Sequence, residues 1–381
     1  MKYKLSEIAE IKSGGTPSTK DSAYWNGKIP WITPKDLSTY KKRYISKGER
    51  NITDQGLNNS STVVLPENTI LFTSRAPIGY VAIAENKLCT NQGFKSLVCD
   101  DSKCYFLYLY YWILNNVEYI KSQANGSTFQ EVSGSVMKNI EIYLPGISIQ
   151  KKVAEILDCI DKKIELNNQI NYNLIEILKL KFNNWINNLT DYNITNLSCI
   201  ANYKNGLAMQ KFRPVNEEGL PVIKIKEMNS GLSNDTERCS SNIDKDVIIE
   251  DGDVLFAWSG TLCMTIWCNG KAGLNQHIFK VTSEKYPKWF YYFWTMKHLD
   301  KFIQIAAGKA TTMGHIKRSE LDNAEVLLPD HNEILKMDKI MAPILEKYIE
   351  NLKENKRLEQ LRDTLLPKLM NGEIDLEKIK I

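Results

Sequence analysis

The chain repeats itself once, at a constant offset of 184 residues that needs no gap between residues 70 and 174 of the first copy. A duplication of this kind predicts two similar domains related by pseudo-twofold symmetry. That symmetry suits a partner that is itself nearly twofold, either duplex DNA or two identical subunits, although a duplication can also serve stability alone. The matched segments are Ile70-Leu71-Phe72 with Val254-Leu255-Phe256, Asn91-Gln92 with Asn275-Gln276, Tyr105-Phe106 with Trp289-Phe290, Ser127-Thr128 with Thr311-Thr312, Leu144-Pro145 with Leu328-Pro329, and Asn167 and Asn171 with Asn351 and Asn355.

The first part of each copy has the pattern of a mixed α/β domain. Short apolar runs between Pro, Gly and Asn residues predict strands. Aromatic-rich helices are predicted to follow, and their rings are expected to pack a core rather than to stack on bases. The predicted strands are 61–65, 69–72 and 80–84 in copy one and 247–249 and 253–257 in copy two, and the predicted helices are 104–121 and 289–305.

The second part of each copy predicts a long amphipathic helix. Apolar residues recur at spacings of three and four from Val153 to Leu178 and from Met337 to Leu365. Neither Pro nor Gly interrupts residues 147–189, so this helix is expected to be about 60 Å long. Pro343 predicts a kink or a late start for the second helix.

Two helices of this length bury their apolar faces most simply on each other, as a coiled coil. A twofold axis across the pair makes it antiparallel. The matched asparagines either occupy the apolar seam, where a polar residue fixes register and orientation, or lie just off it and face water. These four are Asn167, Asn171, Asn351 and Asn355.

Composition limits the class of protein. The 381 residues suffice for two or three domains. No apolar run reaches the roughly 18 residues of a membrane span, and the opening segment alternates apolar and charged residues, unlike a secretory signal. We therefore expect a cytoplasmic protein without a membrane partner. Of the eight cysteines, Cys99/Cys104 and Cys263/Cys268 have the spacing of half a zinc site, but neither has a second pair nearby, so plain thiols are expected and no metal.

Several segments together resemble the specificity subunits of type I restriction–modification enzymes, and the resemblance extends over nearly the whole chain. No single motif is decisive, but their order and duplication are specific. Copy two departs from the pattern, because Asn205-Gly206-Leu207-Ala208 replaces the Gly-Gly-Thr-Pro turn and Ile334 replaces the Gln of the helix start. The segments are residues 4–17, 29–37, 91–94, 124–128, 140–145, 150–158 and 361–374.

This resemblance implies a fold and an assembly. The fold is two mixed α/β target recognition domains in tandem, with pseudo-twofold symmetry, separated by two long helices that form an antiparallel coiled coil. Each domain reads one half of a bipartite site in double-stranded DNA, and the helices set the spacing and dock two modification (methyltransferase) subunits. Restriction (translocase and nuclease) subunits complete the enzyme, and S-adenosylmethionine, ATP and Mg are expected in these partners and not in this chain. The expected domains are 1–146 and 191–330 for recognition, 147–190 for spacer helix one, and 331–381 for spacer helix two and the tail.

The chain itself shows no catalytic pattern. The motif with which amino-methyltransferases hold a flipped adenine is absent, as are the glycine loops that cradle phosphates. Asp330, Glu333 and Lys336 have a spacing superficially like that of a nuclease cluster, but they fall at a predicted helix start, where acids suit the helix N-terminus. We therefore expect a non-catalytic subunit. The alternatives are the recognition module of another restriction–methylation enzyme, or a coiled-coil adaptor that does not read DNA.

Candidate DNA contacts are polar and basic residues, since base edges are read by such side chains and phosphates are neutralised by Lys and Arg. A structural or solvated role is open for each one. Residues 1–50 hold eleven Lys/Arg against five Asp/Glu. Asn91 and Asn275 recur in both copies, which predicts support of a turn instead of half-site reading. The candidates are Lys12, Ser13, Thr16, Thr33, Lys35, Lys41, Lys42, Arg43, Ser74, Arg75 and Gln92 in copy one, and Lys204, Lys211, Arg213, Lys224, Lys226, Trp258, Ser259 and Gln276 in copy two.

Overall fold

Both copies of the repeat fold as mixed α/β units. The computed structural model divides the chain into unit 1, Met1–Lys162 with Gln360–Ile381, and unit 2, Lys163–Glu359. Each long helix contributes residues to both units. The described residues are 1–38, 40, 42–126, 130–215, 218–308, 314–374 and 376.

Over its described residues, unit 1 contains ten strands and six short α-helices before the first long helix. The strands are β1 (Lys2–Lys4), β2 (Ala9–Ser13), β3 (Trp25–Ile32), β4 (Tyr44–Ile45), β5 (Arg50–Ile52), β6 (Ile70–Thr73), β7 (Val81–Ala84), β8 (Cys89–Thr90), β9 (Phe94–Cys99) and β10 (Glu141–Tyr143). The helices are α1 (Leu5–Ile8), α2 (Pro34–Ser38), α3 (Asp54–Asn58), α4 (Phe106–Asn115), α5 (Val117–Ser122), α6 (Gly134–Asn139) and the long α7 (Ile147–Asn187).

Unit 2 follows the same plan. Its strands are β11 (Asn193–Asn196), β12 (Asn202–Asn205), β13 (Leu220–Ile223), β14 (Arg238–Cys239), β15 (Ile248–Ile249), β16 (Val254–Ala257), β17 (Cys263–Ile266), β18 (Ala272–Leu274), β19 (Ile278–Thr282) and β20 (Glu325–Leu328). Its helices are α8 (Leu197–Ile200), α9 (Ile225–Ser230), α10 (Lys288–Gly308), α11 (Ser319–Asp322) and the long α12 (His331–Met370).

The sheets of the two units have matching strand orders. The larger sheet of unit 1 runs β2-β9-β6-β7-β4, and its counterpart runs β12-β19-β16-β17. The smaller sheets run β5-β3-β8 and β14-β13-β18-β15, and β1-β10 matches β11-β20. The run Ile70-Leu71-Phe72 is fully buried because β6 lies inside the sheet, with Ile70 and Phe72 in one apolar cluster and Leu71 in another. The repeat in the sequence is therefore a repeat of topology.

One predicted strand is wrong. Residues 61–65 form no strand, and Leu65 alone makes a bridge, to Leu88. The side chain of Thr62 instead donates a hydrogen bond to the carbonyl of Thr90 at 3.0 Å, and Pro66, which has no N–H to donate, follows. The other predicted strands are confirmed to within two residues.

The aromatic helices pack cores as predicted. Tyr108, Tyr111 and Trp112 of α4 are buried in unit 1, and Trp289 and Phe293 of α10 are buried in unit 2. The helix predicted over 104–121 is broken at Asn116 into α4 and α5. No helix of the described residues is both long and apolar enough to cross a bilayer.

The two long helices are α7, with 41 residues, and α12, with 40. Of the two alternatives predicted at Pro343, a kink or a late start, the late start is wrong, because α12 begins at His331 and continues through Pro343. Asp330 caps that start, since its carboxylate accepts a hydrogen bond from the backbone N–H of Glu333 at 2.8 Å. Gln150, near the start of α7, is fully buried and donates to the carbonyls of Lys103 and Pro145 at 2.9 and 2.8 Å. Its counterpart Ile334 fills an apolar core instead.

Candidate nucleic-acid interface

Each unit holds a turn at the same place, built on a matched asparagine. In unit 1, Asn91 donates its backbone N–H to Ile32 at 2.9 Å, and its side chain accepts from the N–H of Gly93 at 2.9 Å. In unit 2, Asn275 donates its backbone N–H to the carbonyl of Ile223 at 3.1 Å, and its side chain accepts from the N–H of His277 at 3.2 Å. The prediction that these asparagines support a turn is confirmed.

The end of the central strand packs against this turn in both units. Ser74 donates its N–H to the carbonyl of Gly93 at 2.7 Å, and its carbonyl accepts from Val132 at 3.0 Å. Trp258 makes the corresponding bonds to His277 and Ile316, at 3.2 and 3.1 Å. We call these hydrogen-bonded residues the recognition frame: Ser74, Asn91–Gly93 and Val132 in unit 1, and Trp258, Asn275–His277 and Ile316 in unit 2.

Several predicted contact residues meet at the frame of unit 1. Thr16 and Gln92 are exposed and hydrogen-bonded to each other. Their segments run side by side because Gly15 donates its N–H to Thr90 at 2.9 Å. A side chain at Gly14 would lie 2.1 Å from the carbonyl oxygen of Asn91, so the close approach requires glycine there. A side chain at Gly206, the counterpart in copy two, would lie 2.1 Å from the carbonyl oxygen of Leu274. This close approach explains why a glycine remains there although the rest of the turn sequence differs.

Other candidates of unit 1 have partners of their own. Thr33 is bonded to the Asp36 carboxylate through its N–H and its hydroxyl, at 2.7 and 2.6 Å. Lys35 is exposed and pairs with Glu49 at 2.9 Å, a hydrogen bond that raises the pKa of this lysine. The remaining ones are Lys12, which pairs with Glu10, the exposed Ser13 and Lys42, and Lys41, which lies outside the described residues.

Arg43, predicted as a DNA contact, lies in a buried ion cluster instead. Its side chain is only 8% exposed, and it donates to Asp158 at 2.8 Å and to the Tyr111 hydroxyl at 3.1 Å. Tyr111 in turn donates to Asp161 at 2.7 Å, and Arg362 of α12 donates to the other oxygen of Asp161 at 3.0 Å. This buried ion cluster holds Arg43 inside unit 1, where it is no contact for a phosphate.

The ion cluster changes the ionisation of its members. Burial, followed by the Asp161 carboxylate, raises the pKa of Tyr111, so its hydroxyl remains a donor. Burial lowers the pKa of Arg362, but the carboxylates of Asp161 and Asp363 outweigh it and raise that pKa above the ordinary value. The 184-residue offset places Leu345 at the position of Asp161 and Leu178 at that of Arg362. Both leucines are buried in the apolar core of unit 2.

The candidates of unit 2 fall into two groups. Trp258, Ser259 and Gln276 lie at the frame, where the Gln276 amide is 3.3 Å from Nε2 of His277. Ser259 is buried, as Ser74 is in unit 1. The second group lies elsewhere on the surface: Lys204, 3.3 Å from Asp246; Lys224, 2.7 Å from Glu237; and the exposed Lys211, Arg213 and Lys226. Lys224 lowers the pKa of Glu237 through their hydrogen bond.

Sequence reasoning missed four residues at the frame. In unit 1, Lys95 lies 3.1 Å from Glu131, and the same carboxylate lies 3.7 Å from Arg75. In unit 2, the rings of His277 and His315 lie 6.0 and 6.3 Å from that of Trp258. The constant offset pairs Glu131 with His315. This correspondence was the signal that could have identified these two residues.

The four asparagines lie in the seam between α7 and α12, and all are at most 5% exposed. Asn167 donates to Asn355 at 2.9 Å, and Asn351 donates to Asn171 at 2.9 Å. The offset relates Asn167 to Asn351 and Asn171 to Asn355, so each bond is the symmetry copy of the other. The pairing is antiparallel, and a pseudo-twofold axis passes between the two bonds.

Comparisons with known proteins agree with this organisation. A family model described as the type I restriction modification DNA specificity domain matches residues 1–176 and 190–363. The specificity subunit of the type I restriction enzyme MjaIX of Methanocaldococcus jannaschii is 33% identical, over 99% of this chain and 94% of its own length. The EcoR124I/EcoR124II specificity subunit of Escherichia coli is 29% identical over 46% of this chain and 44% of its own length.

A solved structure gives the same fold. The S subunit of the type I restriction–modification system of M. genitalium superposes with a TM-score of 0.60 at 17% identity, covering 97% of this chain and 95% of that one. At this identity the match shows the fold alone. With the family model on both halves of the chain and a relative matched over 94% of its own length, this chain belongs to the family of type I restriction–modification DNA specificity subunits.

Proposed function

We propose that each α/β unit reads one half of a bipartite site in double-stranded DNA. The observation that carries this proposal is the recognition frame, whose backbone hydrogen bonds are the same in both units while its side chains differ. Ser74 and Gly93 of one frame correspond to Trp258 and His277 of the other. A constant backbone with different side chains is what two readers of different sequences need, since base edges are distinguished by side-chain donors and acceptors.

Exposed cations supply the part of the affinity that does not depend on sequence. Lys35 and Lys42 in unit 1 and Lys211, Arg213 and Lys226 in unit 2 are exposed. Each phosphate that such a group neutralises releases a counterion, so binding should weaken steeply with salt. We assign these residues to phosphates, and we assign to bases the frame side chains that reach the surface, Gln92 in unit 1 and Gln276 in unit 2.

The helix pair is proposed to set the distance between the half-sites. The symmetric bonds Asn167–Asn355 and Asn351–Asn171 support a single register, because a slip would leave buried amides without partners. A single register gives a fixed number of uncontacted base pairs between the half-sites. We accordingly propose recognition domains at 1–146 and 191–330 and spacer segments at 147–190 and 331–381.

The spacer helices are also proposed to dock two modification subunits. An apolar stripe on α7 remains exposed beside the seam, with Leu166 51%, Ile177 42% and Leu180 69% exposed, and with Ile170 between them partly exposed. The spacings of four, seven and three residues place them on one helix face, as a partner helix would require. We infer that this chain recognises DNA in the cytoplasm and catalyses nothing. The modification subunits would bring S-adenosylmethionine, and restriction subunits ATP and Mg.

The test is a binding assay with the full chain and its modification subunits. A duplex that carries the methylated motif competes with duplexes whose gap between half-sites is one base pair longer or shorter. We expect either change to weaken binding at least tenfold, because both units cannot then engage together. Equal binding to all gaps would refute the fixed spacing, and equal binding to scrambled half-sites would refute half-site reading.

A further inference from the structure

The frame of unit 1 carries charged side chains at positions where unit 2 carries none. Beside the Asn91–Gly93 turn stand Arg75, Lys95 and Glu131. The 184-residue offset replaces them with Ser259, Phe279 and His315. The difference is local, because the backbone bonds of the neighbouring residues Ser74 and Val132 recur at Trp258 and Ile316.

Lys95 holds the Glu131 carboxylate in a fixed position. Its side chain is 8% exposed, and its ammonium nitrogen lies 3.1 Å from Oε1 of Glu131. A buried ammonium requires a partner, so Lys95 and Glu131 stay together. The second carboxylate oxygen, Oε2, lies 3.7 Å from a guanidinium nitrogen of Arg75. Arg75 and Glu131 are 39% and 36% exposed, so both side chains reach solvent. Glu131 is also held by the buried ammonium of Lys95.

A fixed acceptor next to a guanidinium matches one base pair in the major groove. Guanine presents two acceptors there, O6 and N7, which a guanidinium binds with two hydrogen bonds, and the paired cytosine presents the N4 amino donor, which a carboxylate accepts. We propose that Arg75 and Glu131 read a guanine–cytosine base pair within the half-site of unit 1, with Lys95 as the residue that positions the carboxylate. This inference rests on the proposed function, since it names the base pair that one unit reads.

The matched positions of unit 2 cannot make this contact. Trp258 stacks on Phe279 at 5.7 Å and lies edge-on to His315 at 6.3 Å. The ring nitrogens Trp258 Nε1 and His277 Nδ1 are buried and have no hydrogen-bond partner among the described residues. Unit 2 therefore offers aromatic surface where unit 1 offers an ion pair, and it serves as the internal control.

The experiment measures base discrimination by the full chain with its modification subunits. Each base pair of the methylated motif is replaced singly, and the duplexes compete for the parent complex and for variants. For Arg75→Gln we expect discrimination to fall roughly 5-fold to 150-fold at one guanine–cytosine pair, in one half-site only. The double variant Lys95→Met/Glu131→Gln removes both charges together, so that no buried ammonium is left unpaired, and should relax the same pair; relaxation at a different pair would overturn the joint reading.

Two controls separate reading from folding. Glu118→Gln alters an exposed carboxylate of the same unit that pairs with Lys121, and should leave discrimination unchanged. His315→Gln should leave the half-site of unit 1 unchanged. Thermal unfolding of each variant complex verifies that the chain is folded.

The outcomes distinguish the two proposals. If Arg75→Gln weakens all duplexes equally, changes an A·T position or changes nothing, the reading of a guanine–cytosine pair is overturned while the parent's bipartite selectivity still supports the proposed function. If the parent complex itself shows no half-site selectivity, the proposed function fails and the inference fails with it.

Discussion

Replacing Arg362 with leucine should destabilise unit 1 by about 2–3 kcal/mol. The Arg362 guanidinium lies 3.0 Å from the Asp161 carboxylate, whose side chain is only 7% exposed. The substitution therefore removes this partner from a nearly buried carboxylate. Breaking a fully buried pair costs about 3–5 kcal/mol. The lower figure follows because Arg362 is 30% exposed and because Arg43 remains 3.9 Å from Asp161.

The matched position in unit 2 supplies the compensating change. There the pair is replaced by Leu345 and Leu178, both buried. Asp161→Leu alone should cost about 3 kcal/mol, because Arg362 and the Tyr111 hydroxyl both lose a partner. The double variant should cost about 2–3 kcal/mol, far less than the sum, because it leaves neither charge unpaired and places two leucines where unit 2 buries Leu345 and Leu178 in an apolar core. The remaining cost is the Tyr111 O–H, which has lost its acceptor although Arg43 still donates to its oxygen, so the coupling is about 3 kcal/mol.

The assay is a urea titration in which amide hydrogen exchange is followed in α4 and in α10. The two helices report unit 1 and unit 2 separately, which avoids assuming that the whole chain unfolds in one step. In the Arg362→Leu chain, protection of the α4 amides from exchange should fall, whereas protection of the α10 amides should not. Additive costs in the double-mutant cycle, or an equal loss in both helices, would refute the argument that a single buried ion pair accounts for this part of unit 1.

Three further predictions concern the helix pair and unit 2. Asn351→Leu should destabilise unit 2 by about 1–3 kcal/mol because the side-chain oxygen of Asn171 loses the donor that binds it, whereas Asn171→Leu/Asn351→Leu should be at least as stable as the parent in urea; an equal loss in both variants would contradict this. Burial lowers the pKa of His298, so the stability that this residue contributes is complete above its unfolded pKa of about 6.5 and is lost as pH falls below it. His298→Leu should therefore flatten the decline of the urea midpoint between pH 7 and 5; an equal slope in the parent and the variant would refute the assignment. Leu180→Glu should weaken binding of the modification subunit at least tenfold without lowering the melting temperature, and unchanged binding in calorimetry would remove this face from the docking surface.

The repeat and the long helices were predictable because their signals are local or periodic. A strand run such as Ile70-Leu71-Phe72 is recognised in both copies, and the apolar spacing of α7 gives its length to within a few residues. The antiparallel pairing also followed, since a twofold axis across the helix pair requires it, whereas the sequence left open whether the matched asparagines lie in the seam or face water. Residues 61–65 were wrongly predicted as a strand because strand propensity depends on how side chains pack against neighbouring strands. Within this segment only Leu65 pairs with another strand segment, at Leu88.

The roles of charged residues were less predictable. Arg43 stands in a basic stretch that suggested phosphate contacts, but its partner Asp158 lies 115 residues further along the chain. No local pattern reveals such a pair. The same limit explains why Glu131 was missed, since its significance depends on Lys95 and Arg75, which come from two different segments.

The most direct test of the central claim is a map of N6-methyladenine across the host genome, with and without this gene, while the modification subunit is expressed. The account predicts one bipartite motif, with two half-sites at a fixed gap, that loses methylation when the gene is deleted and regains it when the gene is restored. If no motif changes although the modification subunit is active, the chain does not direct methylation, and the claim that it specifies the DNA site is contradicted.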